Sequence, residues 1–126
     1  MFDILNTTKR ILPDYPYEDI LKEIHGEAYE LSMVVCGTAL MKKINRKTRG
    51  KDYSTDVLSF PLSDRSGELF ICPETCDKKR IEHELSLDRY IGMVFVHGLV
   101  HLKGFDHGDT MEKLEASYRA RFGIRS

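Results

Sequence analysis

The most regular apolar pattern in the chain lies between residues 86 and 103. Tyr90, Ile91, Val94, Phe95, Leu99 and Val100 recur at helical spacing, which predicts a helix from about Ser86 to Lys103, stopped by Gly104. Shorter periodic stretches predict a helix from Pro16 to about His25, with Tyr17, Ile20, Leu21 and Ile24 on one face and Gly26 as its cap. A third helix is expected from a Thr38 cap through Leu40, Met41 and Ile44 to about Lys47, and a fourth from Glu74 to about Glu84 after Pro73. A last one spans about Thr110 to Phe122, with Met111, Leu114 and Tyr118 inward. Tyr29–Cys36, Asp56–Pro61 and Glu68–Cys72 read as strands, the last two joined by a turn over residues 63–67. The expected fold is α+β: one domain over residues 1–126, with a mixed sheet of about four strands and helices around it.

Composition adds exclusions. The 126 residues suit one domain, and no repeat or linker divides them. No run reaches the roughly 18 to 20 apolar residues of a membrane span, and the first residues lack a secretion signal. Cys36, Cys72 and Cys76 are a small, odd set that reads as reduced thiols in a cytoplasmic protein. The net charge of -1 argues against a generic polyanion binder, but the total conceals a polarised chain. Lys42, Lys43, Arg46, Lys47, Arg49 and Lys51 fall within ten residues, whereas Glu18, Asp19, Glu23, Glu27 and Glu30 are opposed only by Lys22. Such a basic run is ordinarily a solvated helix face; beside a reactive cleft it would contact an RNA backbone through phosphates.

The candidate chemistry sits in His97-Gly-Leu-Val-His101-Leu-Lys-Gly104-Phe-Asp-His107. His97 and His101 fall one turn apart on one helix face, and Gly104 permits the left-handed exit that can carry His107 back toward them. A lone helical histidine is usually a packed or surface residue. Three in eleven positions, arranged in this way, point instead to a zinc ion with its fourth position open to water. The spacing is that of the metzincin proteases, yet Gly98 stands where those enzymes carry their glutamate base. The site therefore reads as zincin-like without the proteolytic acid–base group.

These residues resemble the signature of the YbeY family, H-G-x-L-H-L-x-G-Y-D-H. Arg49-Gly-Lys-Asp-Tyr-Ser-Thr-Asp-Val-Leu-Ser-Phe-Pro61 is similar to that family's R-G-K-D-x-P-T-D-V-L-S-F-P block, and Gly67-Glu-Leu-Phe-Ile-Cys72 to its G-D-I-x-I-[SC] strand. Val100, Phe105, Ser54 and Glu68 depart from the pattern, and Phe105 lacks the hydroxyl of the tyrosine it replaces. The resemblance implies a zinc-dependent, single-strand-specific endoribonuclease of the cytoplasm. Its expected substrate is rRNA precursor, including the 16S 3′ end, and its expected work is rRNA maturation and ribosome quality control. The small ribosomal subunit and assembly factors are the expected partners. It also implies His97, His101 and His107 as ligands of one zinc per chain, with Arg49 and His107 as catalytic residues.

Further readings come from the residues themselves. Arg49 offers a planar donor fork matched to phosphate, and Lys42, Lys43, Arg46, Lys47 and Lys51 are candidate RNA contacts. Asp106 is a candidate to orient a ligand ring or to cap a turn. Asp56 and Glu68 are candidate proton acceptors, with solvated strand edges the plainer reading, and Tyr53 could stack on a base. Cys72 and Cys76 lack a second pair to close a metal site and read as structural thiols. His25 and His83 read as surface residues. Two rival functions stay open: a zincin-type metallohydrolase or peptidase, and a ribosome-assembly binding protein with a structural zinc.

Overall fold

A helix apolar on nearly every side has to be buried on nearly every side, and the central helix of the protein is. The computed structural model describes residues 2–104 and 108–124. In chain order the elements are β1 (Phe2–Asn6), α1 (Tyr17–His25), β2 (Glu30–Val35), α2 (Thr38–Arg49), β3 (Val57–Ser63), β4 (Ser66–Ile71), α3 (Pro73–Lys79), α4 (Leu87–His101) and α5 (Asp109–Arg121). The sheet order is β1-β2-β4-β3, with β3 antiparallel to β4 and the other pairs parallel. This is the expected α+β arrangement. Among the described residues no helix is long and apolar enough to cross a membrane.

Alternation along the strands sends side chains to two layers. Leu31, Met33 and Val35 of β2, with Leu69 and Ile71 of β4, pack against Ile20, Leu21 and Ile24 of α1 and Ile91, Phe95 and Leu99 of α4. On the other face Val34, Leu58, Phe60 and Phe70 meet Met41 and Ile44 of α2. α4 starts where Ser86 accepts a hydrogen bond from the Arg89 amide at 3.2 Å, a side-chain cap on its orphan donors. It ends two residues before the expected stop, and Gly104 then takes φ +95°, the left-handed exit anticipated from its position.

The ends of α1 and α4 cap one another. The His25 ring nitrogen Nε2 donates to the Leu99 carbonyl at 2.7 Å, and Lys103 Nζ donates to the Ile24 carbonyl at 2.7 Å. Each side chain satisfies a carbonyl in the last turn of the other helix. His25 is thus half-buried against the Tyr29 ring, not the surface residue expected. Burial, and then the nearby Lys103 charge, outweigh the hydrogen bond and lower its pKa below 6.5. The unfolded chain therefore takes up a proton there before the folded one does. The contribution is intact above pH 6.5 and is lost as pH falls through the window below it. His25→Gln should flatten that part of the stability profile, read as urea midpoint against pH; an unchanged acid slope would contradict it.

Several elements and boundaries differ from the sequence expectation. β1 was not expected: among the described residues it pairs with β2 alone and its residues are largely exposed, so it carries little hydrophobic signal. α3 ends at Lys79 rather than Glu84, because Arg80 closes a turn there. Its Nε donates to Asp77 at 2.6 Å, while its carbonyl accepts from the amides of both His83 and Leu85. The α2 cap is Gly37, and Thr38 is the first helical residue with no side-chain cap bond. The β3–β4 connection tightens to Asp64-Arg65, and Pro61 sits on the sheet edge beside a register shift, where no ladder donor is needed.

Candidate active site

One side of α4 borders a cleft of about 740 Å³, with Tyr90 and Val94 shared between it and the core. Tyr90, Met93, Val94, His97 and His101 form this stripe, at the three- and four-residue steps that keep side chains on one helix face. The edge strand β3 and the preceding Asp56 form a second wall. Glu112, Glu115 and Arg119 of α5 form a third, and Arg49 and His83 complete the lining.

The His97 and His101 rings stand perpendicular, with centroids 4.6 Å apart. His97 Nδ1 lies 2.6 Å from Glu115 Oε1, and Glu115 is only 6% exposed. With the proton on Nδ1 donated to this carboxylate, the ring lone pair is assigned to Nε2. A carboxylate behind an imidazole is the arrangement that orients histidine ligands and raises their basicity toward a metal. The donor chemistry of His97 and His101 thus fits a divalent metal that accepts nitrogen. His107 and Asp106 lie outside the described residues. No group of three or more potential ligands occurs among the described residues, where only two of the three expected histidines fall.

Gly98 faces the sheet. A Cβ there would run into Leu69 Cδ1, with Val57 Cγ2 at 3.3 Å and Ser59 Oγ at 3.4 Å. The position that carries the base in metzincins is here a close helix–sheet contact.

Arg49 lines the same cleft as the histidine pair, from the C-terminal end of α2. Its Nη1 donates to Asn45 Oδ1 at 3.4 Å. The fully buried Asn45 in turn donates to the Tyr53 carbonyl at 2.9 Å, tying the loop after α2 to the helix. The other basic residues of this segment are placed differently. Lys42, Lys43, Arg46, Lys47 and Lys51 are exposed and do not line the cleft. Asp52 lies 4.0 Å from Lys42 and 3.8 Å from Arg46, offsetting part of the run's charge. Tyr53 is exposed and outside the lining.

Asp56 lines the cleft but is engaged. It accepts hydrogen bonds from the Val57 amide at 2.9 Å, Thr55 Oγ1 at 3.2 Å and Tyr90 Oη at 2.8 Å, with Lys79 Nζ at 3.7 Å. Burial and then this carboxylate push the Tyr90 phenol pKa up. The phenol keeps its proton and donates it to Asp56, so the contact serves as a brace between the start of β3 and α4. Glu68 lies on β4 outside the cleft lining. The three cysteines are free and buried, as structural thiols should be. Burial, then Cys72, raises the Cys36 thiol to about 11.

Sequence reasoning missed several lining groups. His83 is exposed as expected, yet it belongs to the cleft, with its ring 5.5 Å from that of Tyr90. Glu115 carried a usable signal: an acid within the inward stripe of Met111, Leu114 and Tyr118. Nothing in the periodicity singled out Arg119.

A helix-borne histidine pair braced by a buried carboxylate, at the edge of a mixed sheet, defines a small α+β domain of the kind that holds a nitrogen-ligated metal. The family model described as Endoribonuclease YbeY matches residues 5–122, and the chain belongs to that family. A Bdellovibrio bacteriovorus protein named Endoribonuclease YbeY is 41% identical over 98 residues, covering 76% of this chain and 63% of that protein. A Lactobacillus gasseri protein of the same name is 36% identical over 123 residues, with coverage of 82% and 67%. The chain therefore spans just under two thirds of the Bdellovibrio relative's length. The solution structure of a Thermotoga maritima protein superimposes with a TM-score of 0.65 at 26% identity, over 94% of this chain and 86% of that one.

Proposed function

We propose that the protein is a metal-dependent endoribonuclease that cleaves single-stranded RNA, with zinc held by His97, His101 and His107. The observation that carries this reading is the Glu115–His97 brace, one turn from His101, in a cleft shared with Arg49. The names of its relatives supply the substrate class. When bound, zinc supplies Lewis-acid polarisation of a phosphoryl oxygen and an acidified water. The chain's own residues do the rest. Glu115 holds the Nδ1 proton, so that His97 presents Nε2. Arg49 directs its donor fork at the scissile phosphate and stabilises the charge that develops there. The Asp56–Tyr90 brace keeps β3 and α4 at a fixed separation. Outside the cleft, Lys42, Lys43, Arg46, Lys47 and Lys51 form the approach surface for the RNA backbone. The proposed setting is the cytoplasm, on rRNA precursors including the 16S 3′ end, at the small ribosomal subunit with its assembly factors and in ribosome quality control. Asp106, next to His107, is proposed to orient that ligand.

The deciding experiment measures cleavage of single-stranded RNA and metal content together, for wild type and His107→Ala, before and after chelation. Wild type should cleave only when loaded, and His107→Ala should lose both metal and cleavage. Full-rate cleavage after chelation overturns the metal-dependent reading. Zinc retained by His107→Ala overturns the ligand set. RNA binding by both proteins with turnover by neither points to an assembly factor. Glu115→Gln preserves volume but replaces the carboxylate with a weaker acceptor, so it should weaken zinc affinity about 10- to 100-fold. Competition with a chromogenic chelator checks this.

A further inference from the structure

We propose that Arg119 is a second phosphate-binding residue of the cleft, engaging the phosphodiester next to the one held by Arg49. The cleft is then built for chains with at least two consecutive phosphates. This rests on the endoribonuclease reading above and goes beyond it.

Arg119 is half-buried in the cleft wall, one turn beyond Glu115 on α5. Among the described residues its guanidinium makes no hydrogen bond or ion pair. Arg10 and Arg80, by contrast, pair with Asp77, Arg46 with Asp52 and Arg121 with Glu23. The nearest acid on its own helix face, Glu115, is committed to His97. A partly desolvated cation without a counter-charge is costly, and an incoming anion relieves that cost. The planar fork of an arginine suits a phosphodiester better than a point charge does. Arg49 enters the same cleft from α2, so two cations on separate elements border the α4 face that carries His97 and His101. The volume of about 740 Å³ lies in the upper part of the range for small-ligand clefts, roughly 300–1,000 Å³, which suits more than one nucleotide unit.

The test compares wild type, Arg119→Ala and Arg119→Lys on two substrates: the dinucleoside monophosphate uridylyl-uridine, with one phosphate, and a short oligouridylate. For Arg119→Ala, the ratio of kcat/KM on the oligomer to that on the dinucleotide should fall about tenfold, chiefly through KM, with Arg119→Lys recovering part of it at low salt. Fluorescence anisotropy of labelled oligouridylate with chelated protein should show the salt slope of log Kd reduced by about 0.7. Equal losses on both substrates would assign Arg119 a structural role and overturn the proposal. An unchanged ratio with an unchanged slope would also overturn it. If wild type cleaves neither substrate, the endoribonuclease reading fails, and the slope alone decides Arg119.

Discussion

Arg49→Ala will lower kcat for single-stranded RNA by about 10²- to 10³-fold while leaving zinc content and fold unchanged, the size of effect seen when one pre-organised donor to a developing oxyanion is removed. The residue is exposed and its hydrogen bond to Asn45 is long, so little of the fold depends on it. What is lost is a donor already aimed into a cleft that holds the histidine pair. Arg49→Lys keeps the charge but not the fork and should recover only a minor part. Single-turnover cleavage at saturating RNA separates the two contributions. A kcat within threefold or so of wild type for Arg49→Ala would remove the residue from the reaction.

Gly98→Glu, which restores the metzincin glutamate in sequence, will strongly destabilise the protein instead of creating a peptidase. Even Gly98→Ala drives a methyl into Leu69 and should cost about 1–3 kcal/mol, the usual penalty for overpacking. Glutamate adds an unpaired carboxylate between helix and sheet, raising the cost to roughly 3–5 kcal/mol or more. Domains of this kind have only about 5–15 kcal/mol in hand. Urea denaturation followed by circular dichroism, beside soluble yield, measures the effect. A Gly98→Glu protein with a wild-type midpoint would contradict the packing argument. The absent glutamate is thus the signature of a tight helix–sheet crossing, a reading that the motif alone does not supply.

How far the chain could be read depended on whether a feature is local. The α4 helix, the left-handed exit at Gly104 and the placement of His97 and His101 on one face follow from residues within a few turns of one another. β1 was not legible because an exposed edge strand has almost no apolar alternation. Glu115 lies 18 positions from His97, and side-chain pairs between helices leave no trace in either helix's period. The basic run shows the same limit in charge. Counting lysines and arginines could not show that Asp52 folds back beside Lys42 and Arg46, nor that Arg49 alone of the six reaches the cleft.

The route by which the cleft is assembled has a consequence for the growing chain. Arg49, the β3 wall and the α4 histidines are translated before α5, which brings Glu115 and Arg119. The parallel pairings of β1 with β2 and of β2 with β4 join distant segments, and such long-range closures are slow relative to local helix formation. In chain order, α4 and its two histidines precede the carboxylate that orients His97. A chain that stops short of α5 keeps His97 and His101 on α4 but lacks the carboxylate that orients His97.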